Sequence, residues 1–321
     1  LAAAIVGLGQ VGLLFDEEPQ RRASGEIWTH FTAYERLSGA YALAAAVEPD
    51  PAKHAVALRR LPDLRIYPTV EAMLERERPD VVSVCTPDAT HLAVVERLLG
   101  RCQGIFLEKP LCSQEEIVQA EALALRARDL GVSLRVNYYK RQESLVRQVA
   151  EAVAGQQVAN VCVKYSGPFP AVGSHALNLM LLFSPDVRLL ASLRHPREEG
   201  DGYSGFFRTQ GGGLGQVLHC GPRHQLIFSA EATARGLYSL ERNLSRLRVY
   251  AYAPSSRYQG YDELEFVSET PEGASAERFT GFLAEIAGEI AGGHRDYANL
   301  EDSLATQRIM QEMQAAASGE E

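Results

Sequence analysis

Six residues near the start of the chain, Gly7-Leu8-Gly9-Gln10-Val11-Gly12, narrow the choice of fold more than any others. They follow at once on Ala2 to Val6, a small-and-aliphatic run that reads as a buried parallel strand. A G-x-G-x-x-G between such a strand and a helix makes a tight turn, lets the backbone approach a pyrophosphate, and sets it at a helix N-terminus. Glycines also occur in ordinary strand-to-helix turns, so the reading depends on what comes next. Strands are expected at Tyr41 to Val47, near Ile66, and at Val81 to Cys85, Ile105 to Leu107 and Val132 to Val136, with helical spacing in the intervals. Residues 1–138 are therefore expected to form a doubly wound parallel (Rossmann) sheet of the α/β class.

One interval is irregular. The helix opened at Gly9 is broken by Asp16-Glu17-Glu18-Pro19, and helical spacing resumes near Thr29 through His30, Phe31, Tyr34 and Leu37. Residues 16–28 read as an insertion above the glycine turn, either a surface loop or a lid carrying Trp28. The insertion explains why Glu48, ending the second strand, lies farther from Gly12 than the usual interval of about 20 residues. An acid there accepts from ribose hydroxyls and repels a 2′-phosphate. Glu48 is the candidate, with Asp50 as the fallback, and the expected cofactor is NAD rather than NADP.

Ligands of open α/β sheets sit beyond the carboxyl ends of the strands. Three groups stand there: Thr86-Pro87 with His91 after the fourth strand, Glu108-Lys109-Pro110 after the fifth, and Asn137 to Arg141 after the sixth. A lysine in that place can move protons or polarise a carbonyl. The plain alternative is a Glu–Lys pair at a solvated strand end. His91 could likewise approach a cofactor or merely neighbour a helix cap.

After Arg141 the rhythm changes. A helix near Ser144 to Ala154 and a strand at Val158 to Tyr165 lead to Gly173-Ser174-His175-Ala176-Leu177-Asn178, which opens a short apolar helix to Phe183. Strands are then expected at 187–195, 203–209, 214–219, 224–230, 235–240, 246–253 and 262–267, and two helices, about 276–291 and 300–317, close the chain. Residues 139–321 thus read as an α+β domain on a large, mainly antiparallel sheet. Its apolar exposed face suits a homodimer or homotetramer.

The net charge of −9, with no basic stripe, argues against nucleic-acid or anionic-membrane partners. Five scattered cysteines form no Cys-x-x-Cys pair, and the eight histidines show no metal-site spacing. Reduced thiols in a cytoplasmic setting and no metal are the expectation.

Taken together, Gly7 to Gly12, Thr86-Pro87 with His91, Glu108-Lys109-Pro110, and Gly173-Ser174-His175 with Asn178 resemble the glucose–fructose oxidoreductase/inositol dehydrogenase (Gfo/Idh/MocA) family of NAD(P)-dependent enzymes. The resemblance implies that Lys109 contacts nicotinamide and a substrate hydroxyl and that His175 exchanges the proton. It implies a cofactor held by Gly7, Gly9, Gln10, Val11, Gly12, Glu48, Thr86, Pro87, His91 and Glu108, with Asn137, Arg141 and Asn178 as substrate candidates. The expected activity is hydride transfer between nicotinamide and a secondary alcohol or ketone of a sugar, cyclitol or nucleotide-linked sugar. The family often carries an aspartate four residues before the histidine and another three after it; here those positions are Ala171 and Asn178. Loss of the first carboxylate favours an alternative, a cofactor-binding regulatory or scaffold protein of the same fold with little turnover.

Overall fold

A computed structural model describes residues 1–270 and 278–318. The first half alternates strand and helix: β1 (Ala2–Val6), α1 (Pro19–Ser24), α2 (His30–Arg36), β2 (Ala42–Val47), α3 (Pro51–Arg60), β3 (Arg65–Tyr67), α4 (Val70–Arg76), β4 (Val81–Val84), α5 (His91–Leu98), β5 (Gly104–Leu107), α6 (Ile117–Asp129) and β6 (Ser133–Val136). Its six strands are all parallel in the order β3-β2-β1-β4-β5-β6, so the order reverses at β1 and β4. A switch point of that kind opens a crevice at the strands' carboxyl ends. β1, β4 and β5 are apolar on both faces because helices cover both, and Ser83 is the one polar side chain in β4.

The second half runs α7 (Ser144–Val153), β7 (Asn160–Tyr165), α8 (Ser174–Phe183), β8 (Val187–His195), β9 (Gly202–Thr209), β10 (Leu214–His219), β11 (Phe228–Thr233), β12 (Gly236–Glu241), β13 (Arg246–Pro254), β14 (Asp262–Thr270), α9 (Thr280–Gly292) and α10 (Ala298–Ser318). Eight strands pair in the order β14-β13-β12-β11-β7-β10-β9-β8, antiparallel except for β7 with β10. α8 is buried almost all round and packs with α7 and part of α10 in one core, with Val161, Val163, Phe207 and Val217 of the sheet. Leu193, Tyr252, Phe266 and Val267 are exposed on β8, β13 and β14. The strand expected at 224–230 begins only at Phe228, because Leu226 takes a left-handed conformation (φ 43°) that no strand accommodates.

The chain divides into two units. One holds Leu1–Gln142, α9 and the start of α10 up to Leu304; the other holds the chain from Glu143 through β14 and the rest of α10 from Ala305. The reading of 139–321 as one domain therefore loses α9 to the parallel sheet. Phe282, Leu283 and Ile286 share a core with Ala3, Ile5, Phe31 and Phe106. Gly104 admits that approach, since a Cβ there would stand 2.5 Å from Ile286 Cγ2. The expected helix start at Ala276 lies outside the described residues. No helix among the described residues is long and apolar enough to cross a membrane.

Candidate active site

The glycine turn is built from close backbone contacts. Gly7 has φ 96°, and a Cβ on it would lie 2.8 Å from the Cys85 carbonyl oxygen. A Cβ on Gly12 would lie 2.1 Å from the Gly7 carbonyl oxygen, whereas one on Gly9 would meet nothing within 4 Å. So Gly7 and Gly12 serve the turn's own packing, and Gly9 faces open space. Gln10 is exposed and Val11 half-buried.

The insertion is a splice in a helix. In an uninterrupted helix the carbonyls of Val11 and Gly12 would accept from residues four places on. Here they accept from His30 N (3.0 Å) and Phe31 N (3.1 Å), so α2 continues the turn begun at Gly9 and the intervening chain loops out. Asp16 clips the loop shut, accepting from Trp28 N and from the Thr29 hydroxyl at 3.2 and 2.6 Å. The guanidinium groups of Arg21 and Arg278 each lie 4.9 Å from the centroid of the Trp28 ring, and Arg278 pairs with Glu26.

Glu48 is buried. One carboxylate oxygen accepts from Leu8 N (2.9 Å) and lies 3.2 Å from Lys53 Nζ; the other accepts from Asp50 N (3.0 Å). The acid thus braces the glycine turn. Asp50, the fallback, is exposed and caps α3 through Ala52 N.

His91 sits against the turns that follow β4 and β5. It is buried, with Nδ1 2.8 Å from the Pro110 carbonyl oxygen and Nε2 2.9 Å from that of Thr86. The ring nitrogen that carries the proton donates to one of these carbonyls, and the ring packs between the turn after β4 and the turn after β5. Pro87 is exposed beside it, and the Lys109–Pro110 peptide is cis.

Glu108 also turns inward. One oxygen accepts from Asn137 Nδ2 and from His30 Nε2 (2.9 Å), and the other faces the backbone N–H of Lys109 at 3.3 Å. Behind His30, Nδ1 is 3.0 Å from Ser83 Oγ, which is 2.8 Å from Tyr34 Oη. Burial acts to raise the Glu108 carboxyl, but His30, Asn137 and Lys109 outweigh it and hold the group below the ordinary carboxylate range. Burial of the neighbouring Cys85 thiol, and after it the Glu108 charge, push that thiol up. Lys109 itself is half-buried just past β5. His30, Ser83 and Tyr34 were not singled out as site residues from the sequence. The available signal was Ser83, a polar residue inside an otherwise aliphatic strand.

Two substrate candidates also have internal roles. Arg141 pairs with Asp302 at 2.6 Å, and burial, the largest influence on Asp302, raises its carboxyl. Asn178 is fully buried and donates from Nδ2 to Thr306 Oγ1 (3.0 Å), joining α8 to α10. It has no surface to offer a substrate. His175 lies in the first turn of α8 with 5% of its surface exposed, and belongs to the second unit, as Lys109 belongs to the first. Ala171 sits in the π-helical turn Phe169–Gly173 that enters α8.

Residues 1–138 match the oxidoreductase family described by its NAD-binding Rossmann fold, Gfo/Idh/MocA. YteT of Bacillus subtilis (strain 168) is 26% identical over 136 residues, and the match spans 40% of this chain but only 30% of that protein's length. Among solved structures, the UDP-N-acetylglucosamine 3-dehydrogenase GnnA from Acidithiobacillus ferrooxidans superposes with a TM-score of 0.76 at 16% identity, covering 99% of this chain and 98% of its own. An oxidoreductase from Agrobacterium radiobacter, solved with NAD+, L-tartaric acid and magnesium, gives 0.76 at 15% identity, covering 100% and 97%. Both share this chain's fold.

Residues 1–138 fit NAD. Gly9 leaves room above the turn for phosphate oxygens, and Glu48 retains acceptor capacity beyond its two backbone donors. Thr86 Oγ1 and Asn137 Oδ1, past the ends of β4 and β6, are buried without a partner among the described residues, which suits polar groups of a bound cofactor. Glu48→Ser is expected to narrow a preference for NAD over NADP by removing the charge near a 2′-phosphate. Because Leu8 N also loses its acceptor, affinity for both cofactors should fall. Fluorescence titration with each cofactor reads both effects, and tighter NADP binding by the wild type would reject the assignment.

Proposed function

We propose that the protein is an NAD-dependent oxidoreductase that moves a hydride between nicotinamide and a secondary alcohol or ketone, on a sugar, cyclitol or nucleotide-linked sugar. The observation that carries this is the placement of Lys109. It stands at the carboxyl end of β5, in the unit that holds the glycine turn, on a backbone fixed by the buried Glu108. Bound NAD would supply the hydride chemistry. Lys109 would hold the reacting oxygen and stabilise its developing charge, while His175 exchanges the proton, a transfer worth roughly 10²–10⁴-fold in rate. NAD is preferred over NADP in this reading, and the exposed apolar face of the large sheet joins copies into a homo-oligomer.

The test is NADH formation from NAD and a panel of sugars, cyclitols and nucleotide-linked sugars. UDP-N-acetylglucosamine belongs in the panel because GnnA, of the same fold, acts on it. Tight NAD binding with no turnover across the panel would favour a regulatory protein, a reading that Ala171 supports. His175→Asn on a confirmed substrate is expected to lower kcat by about 10²-fold or more, and full activity would remove the histidine from the mechanism. Ala171→Asp, if its carboxylate reaches the imidazole, should move the acidic limb of the pH profile.

A further inference from the structure

We infer that His30 is a positioning residue for Lys109: it holds the Glu108 carboxylate, which in turn fixes the lysine's backbone. The inference rests on the proposed role of Lys109. Its geometry is a single chain of short contacts. Tyr34 Oη lies 2.8 Å from Ser83 Oγ, Ser83 Oγ lies 3.0 Å from His30 Nδ1, and His30 Nε2 lies 2.9 Å from Glu108 Oε1. Glu108 Oε2 completes it, facing Lys109 N at 3.3 Å.

All four side chains are buried, and the chain crosses three elements: α2, β4 and the end of β5. His30 Nε2 can only donate to a carboxylate, which sets the orientation of the ring. The Phe106 and Phe279 rings, with centroids 4.5 and 5.1 Å from that of His30, hold it against rotation. Buried networks of this kind act as a unit, since a carboxylate deprived of its donor inside a dry site is costly.

The position of His30 in sequence gives the arrangement its meaning. His30 N takes the place that a residue of the first helix would hold, donating to Val11 O of the glycine turn. One residue therefore joins the turn through its backbone and the Glu108-Lys109 strand end through its side chain. The splice that loops out the insertion is what brings an imidazole to that place.

The groups facing the Glu108 carboxylate are His30 from α2, Asn137 beyond β6, Cys85 beyond β4 and Lys109 beside it. Removing the His30 donor leaves burial opposed only by Asn137 and Lys109. The carboxyl should then protonate at higher pH, and the anion that supports the Lys109 ammonium is lost there.

The experiment uses the full-length chain, with His30→Leu, His30→Gln and Tyr34→Phe beside Lys109→Met. Glutamine carries a donor and an acceptor in the same sense as the ring, and Tyr34→Phe keeps the core's shape should leucine prevent folding. In the protein without cofactor, the ¹³C carboxyl resonance of Glu108 should titrate at higher pH in His30→Leu, to a smaller degree in Tyr34→Phe, and return toward wild type in His30→Gln. With substrate, the acidic limb of kcat/KM should move up in the same order, with kcat falling by up to about 100-fold, the scale of a misplaced catalytic group, and the dissociation constant for NAD unchanged. An unmoved Glu108 titration overturns the inference, as does a moved titration with an unmoved acidic limb. A loss of NAD affinity that accounts for the whole rate effect would also overturn it, because His30 would then serve the glycine turn alone. Retained activity in Lys109→Met defeats the proposed function instead, and the Glu108 titration separates the two failures.

Discussion

Lys109→Met is expected to abolish turnover while leaving the fold and NAD binding intact. Methionine keeps the length and the apolar stem of lysine and removes only the ammonium. Lys109 is half-buried beyond β5, so its loss opens no core, and the bond from its backbone N–H to Glu108 does not depend on the side chain. A group that stabilises the developing alkoxide or delivers a proton contributes about 10²–10⁴-fold. The expected result is a fall in kcat of at least several-hundred-fold, with the melting temperature and the NAD dissociation constant close to wild type. A variant that kept more than about a tenth of its rate would not be missing a group of that importance, and the lysine would revert to a partner of Glu108 at a strand end.

Much of this arrangement was legible in the sequence because the signals were local. Strand periodicity located all six parallel strands to within a residue or so, since a strand covered on both faces must be apolar throughout. The break at Asp16 to Pro19 and the renewed spacing at Thr29 marked the insertion, because a helix cannot hide a loop of charged residues and proline. What the sequence did not disclose were pairings across long separations. Glu108 and Glu48 read equally well as ligands for a cofactor or as internal acceptors. Only the positions of His30 and Leu8 N, 78 and 40 residues away, show that both carboxylates are largely engaged. The same holds for Asn178, whose partner is 128 residues on, and for α9, whose apolar face suited either sheet. His91 was ambiguous for a different reason: a histidine one turn past a strand end is equally placed for a ligand or for two carbonyls, and sequence carries no sign of carbonyl direction.

Gly12→Ala and Gly9→Ala should divide the work of the glycine turn in two. Alanine at 12 brings a methyl group to 2.1 Å from the Gly7 carbonyl oxygen and 3.1 Å from its carbon. Backbone cannot swing away as a flexible side chain would, so the turn itself must shift. Forcing a methyl into a packed site costs roughly 1–3 kcal/mol, and a backbone neighbour places this case at the upper end or beyond. The shift is passed on, because Gly12 O accepts from Phe31 N and Val11 O from His30 N, and α2 hangs from both bonds. Gly12→Ala is therefore expected to melt several degrees below wild type and to bind NAD weakly. Alanine at 9 meets nothing within 4 Å, and its backbone lies outside the left-handed region, so the melting temperature should stay within the scatter of neutral surface changes, about 0.5 kcal/mol in stability. The new methyl fills the space through which a pyrophosphate would approach the backbone, and NAD affinity should drop by about tenfold or more, equivalent to ~1.4 kcal/mol. Calorimetric melting and NAD titration of the two variants side by side decide the matter. If Gly9→Ala binds NAD as well as wild type, the turn is not the pyrophosphate cradle. If Gly12→Ala melts with wild type, the close approach to Gly7 is not what holds the turn.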